Sequence, residues 1–267
     1  MSLMRCPLCR EALTREPRRW FCATGHSFDV AREGYVNLLP VQHKKSRDPG
    51  DTPDSVRARR SFLDAGHYQP LRDRVQAMLA PLQPRSLLDI GCGEGYYTQA
   101  MATVAGEVTG IDIAKPAIQL AARRVPALTW LVASAVALPL ADASQDVVCS
   151  LFSPLPVAEM HRVLREGGHV LVVTPAPDHL WHVREGLFGE VRAHEPDKFL
   201  RDFADSFELE QRHELRVPLQ LTRQALVDLL AMTPYAWKAK AERRAALEAL
   251  PDVATEAAFS LMLFRRV

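Results

Sequence analysis

The chain has 267 residues, 48% of them hydrophobic, and a formal net charge of +1 at pH 7. This length suits one large domain with a small appendage, or two modest domains, and the apolar content excludes wholesale disorder. The near-neutral charge excludes a uniformly basic nucleic-acid binder but allows a local basic surface. Because the sequence shows neither a membrane-spanning apolar run nor a signal-peptide pattern, we expect no membrane association and a cytoplasmic protein with reduced cysteines.

Residues 1–37 are predicted to form a small zinc-binding module. Two residues separate Cys6 from Cys9, twelve residues separate Cys9 from Cys22, and three residues separate Cys22 from His26. Thiolate sulfur and imidazole nitrogen are the ligands that a tetrahedral structural zinc prefers, and four of them leave no open position for a catalytic water. A redox Cys-x-x-Cys pair is the alternative, but no thioredoxin-like strand precedes the motif.

Residues 38–67 are predicted to be a polar linker or functional loop, because the segment is polar and contains both proline and glycine. Residues 38–60 carry six basic side chains against three acidic ones. Together with arginines of the first module they could form a phosphate-contacting surface, with a solvated mixed-charge loop as the alternative. The basic residues are Lys44, Lys45, Arg47, Arg57, Arg59 and Arg60, with Arg15, Arg18 and Arg19 of the module.

Residues 68–267 are predicted to form an α/β domain. A helix is predicted over residues 69–82. Short apolar runs then alternate with helical patterns, which indicates a mainly parallel sheet with helices on both faces. From about residue 177 the pattern becomes more helical, and a closing strand is predicted over residues 258–264. The other predicted strands are 86–90, 108–111, 128–132, 146–151 and 169–174, and the other predicted helices are 95–105, 115–124, 222–232 and 237–250.

A glycine-rich turn is the most informative stretch of this domain. Asp89 ends a buried strand, and Gly91, Gly93 and Gly95 follow at G-x-G-x-G spacing. Glycines allow positive φ and close approach of a ligand to the backbone, although they can also serve packing alone. The spacing differs from the G-x-G-x-x-G of dinucleotide sites and resembles the first motif of class I S-adenosylmethionine methyltransferases.

Two further polar positions follow at the next strand ends. Asp112 ends the second strand, where a carboxylate can accept hydrogen bonds from both ribose hydroxyls. Ser134 follows the third strand, where such enzymes hold the adenine edge. Ligands of open α/β sheets bind at the carboxyl ends of the strands, so the three elements together predict bound S-adenosylmethionine in a class I methyltransferase Rossmann-like fold.

Several strings along the whole chain resemble the bacterial 23S rRNA (guanine-N1)-methyltransferases (RlmA-type). They are the Cys/His motif, EGYVNLLP at 33–40, SRDPGD at 46–51, FLDAGHY at 62–68, DIGCGEGYY at 89–97 and MTPYAW at 232–237. The resemblance implies methylation of a guanine N1 in the helix 35 hairpin of 23S rRNA. The 745-type nucleotide is favoured, and the neighbouring 748 type, associated with macrolide resistance, is the alternative.

The same resemblance implies partners and site residues. It implies that the zinc module contacts RNA and that the protein is a homodimer with a basic cleft. Family cofactor contacts correspond to Tyr68, Gly93, Glu94 and His179, and the family's zinc ligands correspond to Cys6, Cys9, Cys22 and His26.

The chemistry at the target base is less defined by the sequence, which assigns no catalytic base. A paired guanine must be unpaired or flipped and held, usually by aromatic stacking, and its N1 proton must leave. Phe152 and Tyr235 are candidates for stacking, with core packing as the alternative. Asp48, Asp51 and His67 are candidate proton acceptors, with solvated loop charges as the alternative.

Two other functions are compatible with parts of this pattern. A small-molecule methyltransferase would share the glycine turn but would seldom need a zinc module. A non-catalytic RNA-binding protein could keep a vestigial cofactor pocket, but the intact acidic and glycine positions of the turn argue against such decay.

Overall fold

A computed structural model describes residues 3–43, 46 and 48–267, and the basic residues Lys44, Lys45 and Arg47 lie outside the described residues. The strands are β1 (Thr14–Arg15), β2 (Arg19–Phe21), β3 (Ser27–Asp29), β4 (Val36–Asn37), β5 (Ser86–Ile90), β6 (Glu107–Asp112), β7 (Thr129–Val132), β8 (Gln145–Leu151), β9 (Leu164–Pro175), β10 (Phe207–Thr222) and β11 (Asp252–Arg266). The helices are α1 (Pro53–Asp64), α2 (Gln69–Leu79), α3 (Tyr96–Met101), α4 (Lys115–Arg124), α5 (Val157–Val163), α6 (Trp181–Phe188), α7 (Leu200–Phe203), α8 (Arg223–Ala231), α9 (Tyr235–Lys238) and α10 (Ala241–Glu248). Short 3-10 turns occupy Val41–His43 and Ala80–Leu82. Among these helices, none has the length and apolarity needed to cross a membrane.

The main sheet has the order β10-β11-β9-β8-β5-β6-β7-β4 within the described part of the chain. The strands from β4 to β9 are parallel, and β11 runs antiparallel between β9 and β10. Alternate residues of β5 enter two apolar clusters: Leu87 shares one with side chains of α2 and α8, and Leu88 and Ile90 share the other with side chains of α5. The mainly parallel sheet predicted from strand–helix alternation is thus confirmed, and its polar strand ends meet at one edge.

The N-terminal module is a small antiparallel sheet, β1-β2-β3, packed against the edge of the main sheet. Its strand β4 continues into the main sheet by parallel pairing with β7. Arg5 N donates to Pro139 O at 2.9 Å, and the guanidinium of Arg10 donates to Leu138 O at 2.9 Å. Leu13 and Trp20 share an apolar cluster with Leu138, so the module and the sheet have a common core.

Residues 53–64 form α1, where the sequence pattern predicts a polar linker or loop, and that prediction is wrong for this segment. Thr52 caps the helix by accepting a hydrogen bond from Ser55 N at 3.2 Å, and Pro53 occupies a first-turn position that suits its fixed φ. Val56 is buried in a cluster with Ala114 and Ala117, and Phe62 is buried in the larger core cluster. The many charged residues hide these apolar positions, although the cap and the proline are readable start signals.

The region after residue 177 also differs from the helical pattern predicted for it. Residues 207–222 form β10, a long edge strand paired with β11, and its first half is exposed and polar. This half is solvated on both faces and lacks the apolar alternation that would identify a strand, whereas Val217, Leu219 and Leu221 in the second half are buried and alternate with exposed residues. The predicted helix over 237–250 is interrupted between α9 and α10, whereas the closing strand is confirmed and extends over Asp252–Arg266.

Candidate cofactor pocket and metal centre

Four metal-binding side chains meet in the N-terminal module. The ligand atoms of Cys6, Cys9, Cys22 and His26 all lie within 4.8 Å of one another. The sulfurs of Cys9 and Cys22 are 3.7 Å apart, and His26 Nδ1 lies 3.4 Å from the Cys22 sulfur. Tetrahedral zinc with Zn–S bonds near 2.3 Å separates its sulfur ligands by about 3.8 Å. The donor types and their spacing therefore fit a closed structural zinc site.

Tight turns bring these ligands together. Arg10 N donates to Cys6 O at 2.9 Å, and Gly25 N donates to Cys22 O at 3.1 Å, with Gly25 at a φ of +90°. Thr24 Oγ1 lies 3.0 Å from the sulfurs of both Cys9 and Cys22. A hydroxyl there can donate to a thiolate and orient it. Thr24 was not singled out from the sequence, and its place inside the second ligand turn is the only available signal.

The three glycines of the turn after β5 have different surroundings. Gly91, Gly93 and Gly95 have φ values of +69°, +57° and +82°. A Cβ on Gly91 would lie 2.2 Å from Ser153 Oγ, and one on Gly95 would lie 2.8 Å from the Trp130 ring. A Cβ on Gly93 would meet nothing nearer than a guanidinium nitrogen at 3.8 Å. The outer glycines allow close packing, and the middle one leaves open space where a ligand can approach the backbone.

Three carboxylates lie on this turn and on the strand ends beside it, where Asp89 is close enough to Asp112 and Glu94 to interact electrostatically. Asp89 is 2% exposed and accepts a hydrogen bond from Thr98 Oγ1 at 2.6 Å. Asp112 accepts from Gly93 N at 3.0 Å and from Ala114 N at 2.8 Å. Burial raises the pKa of Asp89 to about 7, and it also raises the pKa values of Asp112 and Glu94. Desolvated carboxylates of this kind favour a ligand that brings hydroxyl or ammonium donors.

Glu94 gives the most direct indication of the chemical groups that this pocket would bind. Its side chain is 1% exposed, and Oε1 has no hydrogen-bond partner among the described residues. An unpaired buried carboxylate oxygen is costly unless a donor reaches it when the site is filled. S-Adenosylmethionine carries an ammonium group and two ribose hydroxyls, so the acidic pocket fits its donors.

Tyr68 and His179 belong to an aromatic cluster at the same strand ends. Their rings each lie 5.0 Å from the ring of Phe259, and the ring of Phe152 lies 5.6 Å from it. Burial lowers the pKa of His179 to about 4, so its imidazole is neutral at pH 7. Phe259 was not identified from the sequence, because its buried strand gives no sign that three predicted site residues converge on it.

The remaining predicted site residues are placed as follows. Ser134 lies just beyond β7, where Ala133 N donates to Asp112 O at 3.0 Å and brings the second and third strand ends together. Asp51 forms an ion pair with Arg59 at 2.5 Å. His67 stacks on the Phe62 ring at 4.5 Å, and burial lowers its pKa.

Tyr235 and Asp48 are less closely tied to this pocket. The Tyr235 hydroxyl lies 2.8 Å from Nε2 of His194, which the sequence did not single out, and the two rings stack at 6.2 Å. Burial lowers the pKa of His194 to about 4. Asp48 is exposed. No contact joins either predicted residue to the glycine turn in the part of the chain that the structure describes.

Several of the described basic side chains make exposed pairs. Arg57 and Arg60 pair with Asp54 and Asp64 on their own helix. In the N-terminal module, the guanidinium of Arg15 lies over the Trp20 ring at 4.5 Å. Exposed pairs contribute only about 0–1 kcal/mol, so these arginines can exchange a carboxylate for a phosphate at little cost.

Comparisons with known proteins agree with this geometry. A family model described as "RlmA, N-terminal", a zinc ribbon, matches residues 4–47, and one described as "Methyltransferase domain" matches residues 88–172. Solved structures of a Bacillus halodurans protein and of Bacillus subtilis YcgJ superpose with TM-scores of 0.53 and 0.51 at 19% and 16% identity. Each superposition covers 71% of this chain, and 97% and 96% of the respective structures. Fold and site define a class I S-adenosylmethionine-dependent methyltransferase with an N-terminal zinc ribbon.

Relatives in sequence identify the family within this class. The Streptomyces fradiae 23S rRNA (guanine(748)-N(1))-methyltransferase is 36% identical over 242 residues, covering 88% of this chain and 85% of the relative. A Bacillus subtilis relative named for the same guanine-N1 chemistry is 33% identical, covering 91% of this chain and 89% of its own. The chain belongs to the 23S rRNA (guanine-N1)-methyltransferase family.

A small-molecule enzyme matches less of the chain. The ubiquinone biosynthesis O-methyltransferase of Alkalilimnicola ehrlichii is 38% identical over 120 residues, which cover 39% of this chain and 48% of that enzyme. The similarity to this enzyme therefore concerns less than half of the chain, whereas the alignments with the guanine-N1 relatives cover most of both chains.

The raised pKa of Asp89 predicts a pH-dependent effect of Asp89→Asn on the cofactor-free protein. An unfolded Asp ionises near pH 4, whereas burial raises the folded pKa to about 7. The free-energy cost of burying the charged carboxylate therefore grows as the pH rises from about 4 to about 7, and it reaches its full value above pH 7. The stability gained by Asp89→Asn over wild type should be larger at about pH 8 than at about pH 5.5 in urea unfolding.

Asp142→Asn is the matched control for this measurement. A hydrogen bond from Arg162 lowers the pKa of Asp142, so its carboxylate stays ionised in both states above about pH 5. Its stability difference from wild type should not change between the two pH values. A flat difference for Asp89→Asn as well would contradict the raised pKa.

Proposed function

We propose that this protein transfers a methyl group from S-adenosylmethionine to N1 of a guanine in the helix 35 hairpin of 23S rRNA. The observation that carries the proposal is the combination of three features in one chain. They are the Cys/His cluster, the open acidic glycine turn, and an alignment at 36% identity that covers 85% of the Streptomyces fradiae relative. The sequence resemblance favours the 745-type nucleotide. The name of that relative favours the 748 type as the second candidate.

We propose that the residues of the acidic pocket hold the cofactor, with Asp112 toward the ribose, Ser134 toward the adenine, and the glycine turn and Glu94 toward the methionine end. The sulfonium of the bound cofactor supplies an electrophilic methyl group. The chain contributes mainly position, because in-line transfer depends on holding the two reactants in register. The proposed cofactor residues are Tyr68, Asp89, Gly91, Gly93, Glu94, Gly95, Asp112, Ser134 and His179, and the proposed zinc ligands are Cys6, Cys9, Cys22 and His26.

Phe152 is the proposed platform for the target guanine. It follows β8 directly, it is 45% exposed, and its N–H donates to Val173 O at 3.0 Å. Its φ of +55° is unusual for a bulky side chain, and such backbone strain concentrates at functional sites. An exposed aromatic ring in this position suits stacking on an unpaired base.

Replacing Phe152 with alanine should raise the KM for RNA roughly 5- to 150-fold, because stacking of a base on an aromatic ring is worth about 1–3 kcal/mol. Phe152→Tyr, which keeps the ring, should retain most of the affinity for RNA. The affinity for S-adenosylmethionine, measured by calorimetry, should change little in either variant. A parallel loss of RNA affinity in both variants would contradict stacking.

We further propose that the chain works as a zinc-binding, RNA-contacting module (1–37), a connecting segment (38–67) and a catalytic domain (68–267). The family resemblance supports a homodimer with a basic cleft, to which Arg15, Arg18 and Arg19 could contribute. An rRNA substrate would place the activity in the cytoplasm.

The target nucleotide is tested with helix 35 hairpin transcripts and methyl-labelled S-adenosylmethionine. One transcript carries adenine at 745 and another carries adenine at 748, and the unaltered hairpin is the positive control. Loss of methylation only with the first change identifies the 745 type, and loss only with the second identifies the 748 type. Incorporation that survives both changes, or no incorporation into the hairpin and intact 23S rRNA, would contradict the proposal.

A further inference from the structure

Arg59 faces the open side of the glycine turn from helix α1. Its Nη1 is the atom nearest to the position of a Cβ on Gly93, at 3.8 Å. The sequence pattern grouped Arg59 with phosphate-contacting side chains, yet its side chain is only 25% exposed, whereas that of its neighbour Arg60 is 47% exposed. Arg59 therefore lies over the cofactor turn and is turned away from the exposed basic surface.

The guanidinium is held from one side. Nη2 forms the ion pair with Asp51 at 2.5 Å and lies 3.5 Å from Met232 O, near the start of the segment that follows α8. Both of these contacts, drawn from the described residues, use Nη2. Nη1 therefore points toward the turn as a donor that is already oriented, which lowers the entropy cost of binding a ligand there.

The charges around Arg59 indicate which part of a ligand it would meet. Burial lowers the pKa of Arg59, but the carboxylates of Asp51, Glu94 and Asp112 outweigh burial and raise it, so the group stays cationic. Arg124 also acts on Glu94, but it pairs with Asp64 at 2.7 Å. S-Adenosylmethionine has one anionic group, its α-carboxylate, and an acidic pocket would repel that group without a cation beside it.

We propose that Arg59 binds the α-carboxylate of S-adenosylmethionine through Nη1 and that Asp51 is a positioning residue that holds the guanidinium. The acidic pocket would then select the cationic groups of the cofactor, and Arg59 would offset the repulsion of its carboxylate. This inference rests on the proposed cofactor pocket and is independent of the RNA substrate.

The test compares S-adenosylmethionine with decarboxylated S-adenosylmethionine, which lacks only this carboxylate. Calorimetry on the zinc-loaded, full-length protein should show that the wild type prefers S-adenosylmethionine by about 10-fold or more. Arg59→Met should lose about 10- to 100-fold in affinity for S-adenosylmethionine and less than about 3-fold for the analogue. Arg59→Lys should recover part of the preference, because it keeps the charge without the planar donor.

Arg60→Met, on the same helix, is the matched control and should leave both cofactor affinities unchanged. Asp51→Asn should reduce the preference by a smaller factor than Arg59→Met, because the guanidinium loses its partner but not its charge. Equal losses for both ligands in Arg59→Met would mean that Arg59 only supports the fold, and would overturn the inference.

The wild-type comparison remains decisive if Arg59→Met does not fold. A wild type that binds both ligands equally well contradicts the carboxylate contact, yet it leaves the proposed methylation of RNA intact. A wild type that binds neither ligand would overturn the cofactor pocket itself. Methylation of the hairpin is scored separately, so the two failures are distinguishable.

Discussion

Cys22→Ser is expected to lose about one equivalent of bound zinc per chain and to unfold the N-terminal module. Structural zinc in small modules contributes about 10–16 kcal/mol of apparent binding free energy, which such modules need in order to fold. The three short strands of this module contribute few core residues of their own. Metal analysis gives the stoichiometry, and limited proteolysis should cut the variant within the first 40 or so residues much faster than the wild type.

The loss should also reach the main sheet. Leu13 and Trp20 of the module pack in the same apolar cluster as Leu138 and Leu140, so unfolding the module exposes part of that core. A lower Tm for the whole chain is therefore expected. Cys149→Ala removes a thiol buried in the main sheet and should retain stoichiometric zinc. Full zinc occupancy in Cys22→Ser, or a wild type without zinc, would contradict the metal centre.

Gly91→Ala is expected to abolish measurable binding of S-adenosylmethionine. The added Cβ would lie 2.2 Å from Ser153 Oγ and 2.5 Å from Ser153 Cβ, so the turn or the end of β8 must move. The φ of +69° adds strain for any residue with a Cβ. Overpacking and strain together cost about 2–4 kcal/mol, and a turn displaced by even a fraction of an ångström loses its close approach to the ligand.

Two further variants separate the clash from the backbone strain. Gly167 has a φ of +67° and open space around its Cβ position, so Gly167→Ala should lose about 1 kcal/mol of stability and retain cofactor affinity. Adding Ser153→Gly to Gly91→Ala should restore part of the cofactor affinity, because it removes the colliding side chain. Calorimetry on folded protein measures both effects. Unchanged affinity in Gly91→Ala would contradict the assignment of this turn.

The parallel part of the fold could be predicted well from the sequence, for a physical reason. Strands such as β5 and β8 are buried on both faces, so each appears as a short apolar run between turn signals. The Cys/His spacing and the glycine spacing each occupy a few adjacent residues, so the metal cluster and the turn after β5 both form where the sequence predicts them. The first half of β10 could not be predicted because it is solvated and owes its conformation to pairing with β11, whereas the alternation of Val217, Leu219 and Leu221 is a strand signal in its second half.

The parts of the site that escaped prediction are formed by contacts between distant segments. Arg59 lies over Gly93 only because α1 forms, whereas the sequence pattern predicts a loop over these residues. Phe259 gathers Tyr68, Phe152 and His179 from separate elements, and no local pattern encodes such convergence.

The most direct measurement is nucleoside analysis of an unmodified 23S rRNA transcript after reaction with the zinc-loaded protein and methyl-labelled S-adenosylmethionine. The label is expected in 1-methylguanosine, about one per transcript, and should disappear with Gly91→Ala. Reverse transcription should stop within helix 35, because a methyl group on N1 blocks base pairing. Label in another nucleoside, or none in 23S rRNA from a protein that binds the cofactor, would contradict the proposed function.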